Sequence, residues 1–308
     1  MNKLLFAAAC MAWTAAPAQG TVDVICSVPA AWCSAIAATY ARSTGTHVRM
    51  SLKGADDALV QLVAEAGRPG ADLWFGGAAA AHLAAAAQGL TLEHRSSLLA
   101  QLHPWAQQPA QQSGHRTVGL YAAPLGFAYN PALLAGRKLP VPRTWADLLK
   151  PAYKASIQMA DPAAGGPGRV LVDTLGRRMG EDRASGYLKA LHGSVARYTR
   201  SAAGPVKAVA RGEAAVAIGF MHDAIAEKMQ GLPVEVVAPA DGTGAEVGAM
   251  SLVKGARNPD AARQFYEWAL TPAAQALAAA HGQFQVPSNM NTRHDPRIPD
   301  AGKLTAGP

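Results

Sequence analysis

The chain has 308 residues and a formal net charge of +7; half of it is apolar and only 16% is charged. That balance excludes a disordered chain and leaves room for one large domain or two lobes, each with its own core. Lys and Arg are scattered, with no basic run and no interleaved aromatics, which argues against a nucleic-acid partner.

Met1–Lys3 gives a positive start, Leu4–Trp13 is a continuous apolar run, and Ala16-Pro17-Ala18 puts small residues where a signal peptidase reads. Residues 1–18 are therefore expected to be a cleavable secretory leader, too short to anchor in a bilayer, and the mature chain to be periplasmic. Two cysteines follow the cleavage point, Cys26 and Cys33. In an oxidising compartment they bond if their Cα atoms come within about 7 Å; otherwise they pack as small buried thiols.

Thr21–Ser27 is short and rich in β-branched residues, a buried strand. Pro29 opens a helix through Arg42 that Gly45 ends. His47–Leu52 alternates as a second strand, and Asp56–Ala66 is a helix. Ala71–Gly77 is a third strand running into a Gly pair, followed by the alanine-rich helix Ala78–Gln88. Strands and helices that alternate over short connections predict an α/β fold with parallel sheets flanked by helices. Leu102–His115, rich in Gln and Pro, reads as a loose zone. Val118–Asn130 is a long apolar strand, broken by Pro124 and Gly126, of the kind that passes from one lobe to another. A helix near Trp145–Leu149, a strand Ile157–Ala160, a Gly/Pro-rich loop Asp161–Gly168 and helices Val170–Met179 and Asp182–His192 come next. Val206–Arg211 is helical, Ala214–Phe220 a buried strand, His222–Met229 a helix and Val234–Ala238 a strand. Asp241–Gly248 is a second break; Ala249–Val253 resumes a strand, and Pro259–Leu270 and Pro272–His281 are helical. Two crossings, near residues 124 and 242, suggest one lobe of residues 19–123 plus 243–308 and another of 124–242 with a hinged cleft between them; the same order also fits two independent domains or one wide sheet.

Ligands in parallel α/β lobes sit outside the carboxyl ends of the strands, near helix N-termini. The positions this rule nominates are Ser27, Asp56 in the Lys53–Asp57 segment, Gly76 and Gly77, Gly165 and Gly166 in the Asp161–Gly168 loop, Ser201, and His222 with Asp223. Asp223 either caps the helix that follows or faces the cleft beside His222. Glu246, among glycines in the return crossing, is either a solvated hinge residue or a third cleft member. Carboxylates beside a histidine suit a hydroxyl-rich ligand. Neither G-x-S-x-G, H-E-x-x-H nor a P-loop occurs, so neither an enzyme nor a cofactor is expected. The seven tyrosines include no adjacent pair of the kind ferric-ion capture uses, and no metal site is expected.

The blocks Asp72–Gly77 (DLWFGG), His103-Pro104-Trp105, Gly126–Pro131 (GFAYNP), Thr144–Leu149 (TWADLL), Gly219–Asp223 (GFMHD), Gly242–Gly248 (GTGAEVG), Gly255–Asn258 and Pro287-Ser288-Asn289 occur in this order along the chain. Together they resemble the periplasmic solute-binding proteins of ABC importers. The resemblance is greatest to the branch historically labelled ferric-iron binding, some of whose members bind hexose phosphates. It implies a two-lobed type II periplasmic-binding fold, no catalysis, a small-molecule ligand, and a membrane permease and ATPase as partners of a monomeric binding protein. It also implies that His222, Asp223 and Glu246 contact sugar hydroxyls, and that Ser27, Gly76, Gly77 and Ser201 line the site. Three loops depart from the pattern. Gly54-Ala55-Asp56, Ala78-Ala79 and Ala164-Gly165-Gly166-Pro167 stand where relatives usually carry hydroxyl residues, so a bound phosphate would rest on backbone N–H groups. A sugar or polyol, phosphorylated or not, is the first expectation. A cationic amine, suggested by Asp56, Asp57 and Asp161, and a ligand-sensing receptor without transport are the alternatives.

Overall fold

The computed structural model describes residues 20–164, 166–293 and 295–299. The leader reading for residues 1–18 lies outside the described residues.

Strands β1 (Thr21–Cys26), β2 (His47–Leu52) and β3 (Leu73–Ala78) form a parallel trio, with β1 between the other two. The long β4 (Val118–Tyr129) follows, then a second parallel trio of β5 (Ile157–Ala160), β6 (Val195–Thr199) and β7 (Val216–Phe220). The short β8 (Glu235–Val237), β9 (Ala245–Leu252) and the two-residue β10 (Val286–Pro287) complete the set. The order across the sheet is β2-β1-β3-β9-β4-β7-β5-β6, with β8 and β10 also pairing with β4. The parallel trios are each entered through strand–helix–strand units. The two strands that join them, β4 and β9, run antiparallel to each other and to their trio neighbours.

The apolar cores follow this arrangement. Trp32, Tyr40, Phe75, Trp105 and Phe265 pack in one cluster, which takes Leu120, Tyr121 and Ala122 from β4. Phe127, Trp145, Tyr153 and Leu171 pack in another, which takes Ala123, Leu125 and Phe127 from the same strand. β4 is buried along almost its whole length, so its apolar run serves both cores.

Several sequence readings change. The Gln/Pro-rich zone holds a helix, Pro104–Ser113. Trp105, Ala106, Pro109 and Ala110 share its buried face, and Pro104 occupies its first turn, where no N–H is needed. The helix expected from Val170 begins at Gly166, so the Gly/Pro-rich loop is shorter than its composition suggested. The second break is also shorter, because β9 starts at Ala245. Strand β6 was not foreseen: it is an edge strand whose middle residues face solvent, which masks the apolar signal. No helix among the described residues is long and apolar enough to cross a membrane.

Cys26 ends β1 and Cys33 lies in the helix Ala30–Thr44; they form a disulfide with a Cα–Cα distance of 6.2 Å. Closing so short a loop restricts the unfolded chain by about 2 kcal/mol. Reduction, or Cys26→Ala with Cys33→Ala, is expected to lower the melting temperature by about 5 °C in a calorimetric scan.

Candidate ligand-binding site

The sheet register determines which strand ends meet. β4 lies between β9 and β7, with Ala123 opposite Glu246 on one side and Leu125 opposite Phe220 on the other. The carboxyl end of β3 reaches the same level, since Ala78 and Tyr121 both lie opposite Gly248. In the second trio, Met159 pairs with Ile218 and Ala160 with Thr199, so the ends of β5, β6 and β7 are aligned. The loops after both trios therefore point toward β4 residues 121–125, from opposite ends of the strand.

From the first trio come Ser27, Gly76 and Gly77. Both glycines have positive φ, 78° and 88°, and a Cβ on Gly77 would lie 3.0 Å from Ser27 Cβ and 2.9 Å from Ala55 Cβ. Only glycine turns the chain this way at that proximity. The Gly77 N–H donates to Tyr121 Oη at 3.3 Å, and the Trp74 indole N–H donates to Ser27 Oγ at 2.9 Å. Asp56 is exposed on the first turn of the helix Ala55–Ala64.

Gly165 lies outside the described residues. Gly166 is the first residue of the helix Gly166–Met179, and a Cβ there would meet Ala202 Cβ at 3.4 Å, so the loops after β5 and β6 touch. Ser201 is exposed and its Oγ accepts from Gly204 N at 3.1 Å. His222 and Asp223 open the helix Met221–Met229. Phe220 is the N-cap and no side chain caps this end, so Asp223 does not play the capping role. His222 Nε2 lies 3.5 Å from Asp223 Oδ1, its ring stacks on Phe220, and its side chain is 14% exposed. Burial lowers its pKa, with Asp223 opposing the shift, which keeps the imidazole neutral near pH 7. Its Nδ1 is buried without a partner among the described residues.

Glu246 is in β9 and not in a flexible break. It is half-buried, and burial pushes its carboxyl up to about 7. The Glu246 charge in turn adds to burial in raising the phenol of Tyr121. Sequence reading missed Tyr121. Its one signal was a polar-tipped ring within the apolar VGLYAAPLGF stretch, opposite a glycine: a Cβ on Gly248 would lie 2.1 Å from Tyr121 Cζ. No cluster of three or more His, Cys, Asp or Glu suited to a metal ion occurs among the described residues.

Strand-end loops from both parallel trios thus converge on a crossing strand, the place where α/β proteins bind small molecules. The profile of the bacterial extracellular solute-binding protein family matches residues 69–307, and the chain belongs to that family. An uncharacterized protein of Haemophilus influenzae is 34% identical over 306 residues, 99% of this chain and 88% of its own length. The periplasmic binding protein AfuA of Actinobacillus pleuropneumoniae, solved with exogenous fructose-6-phosphate bound, is 35% identical over 93% of this chain and 91% of its own, with a TM-score of 0.83. The periplasmic binding protein P5PA is 33% identical over 92% and 91%, with a TM-score of 0.80. The fold is that of the type II periplasmic binding proteins, and the protein is the substrate-binding component type of ABC importers.

Proposed function

We propose that this protein captures a hexose phosphate, or a phosphorylated polyol of similar size, and delivers it to the permease and ATPase of an ABC importer. Residues 19–123 plus 243–308 form one lobe and 124–242 the other, and the solute selects the closed state of the cleft between them. The mature chain acts in the periplasm as a monomer after loss of residues 1–18, and performs no catalysis.

The observation that carries this reading is Glu246. A half-buried carboxyl whose pKa rises by burial alone, at the crossing between two strand trios, is costly to the fold unless a ligand supplies donors. Sugar hydroxyls supply them, and His222 and Asp223 add an unpartnered ring nitrogen and a second acceptor. The likeness to a fructose-6-phosphate-bound protein over nearly the whole chain supports the same chemistry. Phosphate oxygens would be met by Ser27, Ser201 and the backbone N–H groups at Gly76 and Gly166. The amine alternative loses its motive. Asp161 accepts from Ala163 N at 2.9 Å within its own turn, and Asp56 and Asp57 complement the dipole of the helix Ala55–Ala64 from its first turn.

Isothermal titration with fructose 6-phosphate tests the reading. His222→Ala and Glu246→Gln are each expected to weaken binding by about 10- to 100-fold, the worth of a hydrogen bond to a charged or fully desolvated group. Unchanged affinity in both variants would contradict it.

A further inference from the structure

We propose that the stacked rings of Trp74 and His82 are a positioning pair that fixes the Ser27 hydroxyl and the Gly76–Gly77 bend for the solute. The proposal rests on the functional reading above in taking these loops as ligand contacts.

His82 lies wholly buried on the helix Ala79–Ala87, where an apolar residue would fill the space at lower cost. Both ring nitrogens are engaged: Nε2 lies 2.9 Å from the Gly76 carbonyl oxygen and Nδ1 2.8 Å from Ser251 Oγ. A carbonyl only accepts, so Nε2 carries the hydrogen and donates to Gly76, and Nδ1 accepts from the Ser251 hydroxyl. Burial holds the ring neutral, with its pKa near 3. The β3–β9 register shifts between Phe75 and Ala78, which takes Gly76 and Gly77 out of the regular ladder. His82 gives the Gly76 carbonyl the partner that the ladder omits, and Ser251 on β9 aims the ring.

The Trp74 indole lies flat on this imidazole, with ring centroids 3.6 Å apart and an interplanar angle of 19°. Its N–H donates to Ser27 Oγ. A hydroxyl that accepts from an indole turns its own hydrogen elsewhere, and among the described residues no acceptor takes it. The Ser27 O–H is thereby presented as a donor beside Gly77, which suits an anionic oxygen. A glycine pair with positive φ would otherwise sample many orientations, so the pair acts by removing that freedom before the solute arrives.

Two substitutions separate positioning from packing. The glutamine side chain places an amide nitrogen near the imidazole Nε2, and asparagine only reaches the Nδ1 position. In the mature protein, His82→Asn is expected to speed amide hydrogen exchange at Gly77 and to weaken fructose 6-phosphate binding, each by about tenfold. His82→Gln is expected to keep both within about threefold, at a melting temperature similar to that of the asparagine variant. Trp74→Phe is expected to weaken binding and leave Gly77 exchange unchanged. Wild-type exchange and affinity in His82→Asn, or equal losses in both His82 variants, would overturn the proposal. If the wild-type protein does not bind fructose 6-phosphate, the functional reading fails, and Gly77 exchange alone decides whether His82 holds the bend.

Discussion

Glu246→Gln is expected to make the folded protein more stable than wild type at pH 8, by about 3 kcal/mol, and to leave the two about equal near pH 4. The folded chain holds the Glu246 proton up to about pH 7, against an ordinary carboxyl value of 4.5. Between those values the folded state binds more protons than the unfolded one. The stability tied to Glu246 is therefore fully present below pH 4.5 and is lost as pH rises through 7. Glutamine keeps the shape without the charge and does not undergo this loss. His82 and His222 act in the opposite sense, since burial lowers both and their contributions are lost as pH falls below 6.5. Both proteins share those histidines, so the difference between their urea-unfolding free energies at pH 4 and pH 8 isolates Glu246. On the proposed function, the same variant is also expected to lose affinity for the sugar phosphate. Equal stability of the two proteins at pH 8 would show that Glu246 is solvated.

Asp72→Ala is expected to cost about 4 kcal/mol, the cost of removing a buried, fully bonded carboxylate and stranding its donors. Asp72 is 1% exposed, just before β3. Its carboxylate accepts from Asp23 N at 2.9 Å, from Asn258 N at 3.0 Å and from Asn258 Nδ2 at 3.1 Å. Its backbone joins the same elements, donating to Asp23 O and accepting from Val253 N. One side chain thus ties β1 to the turn after β9. Asp72→Asn retains an acceptor and is expected to lose less than half as much. The denaturation midpoint, at an unchanged dependence on urea, reads both losses.

The first trio was legible in the sequence because β1 and β3 are short apolar runs and β2 alternates, each closed by glycine or by a helix start. The same holds for β7, where AAVAIGF is buried on both faces. Legibility failed where composition and environment disagree. Pro109 and the glutamines of residues 104–113 imply a loop, but the helix packs Trp105 and Ala106 inward and leaves Gln111 and Gln112 exposed. Gly248 reads as a breaker, whereas its missing side chain makes room for the Tyr121 ring inside a regular strand. Among the candidate site residues, Ser27, the glycine pair and His222 were nominated by the rule that ligands meet strand ends, and Glu246 by its place in the return crossing. Tyr121, Trp74 and His82 do not follow from it. Their roles depend on contacts between residues 6 to 169 positions apart, which no local pattern records.

Native mass spectrometry of the protein purified from its periplasm tests the central claim most directly. The expected result is a single co-purified ligand with the mass of a hexose phosphate or phosphorylated polyol, lost on denaturation. An amine of similar abundance in its place would contradict the account.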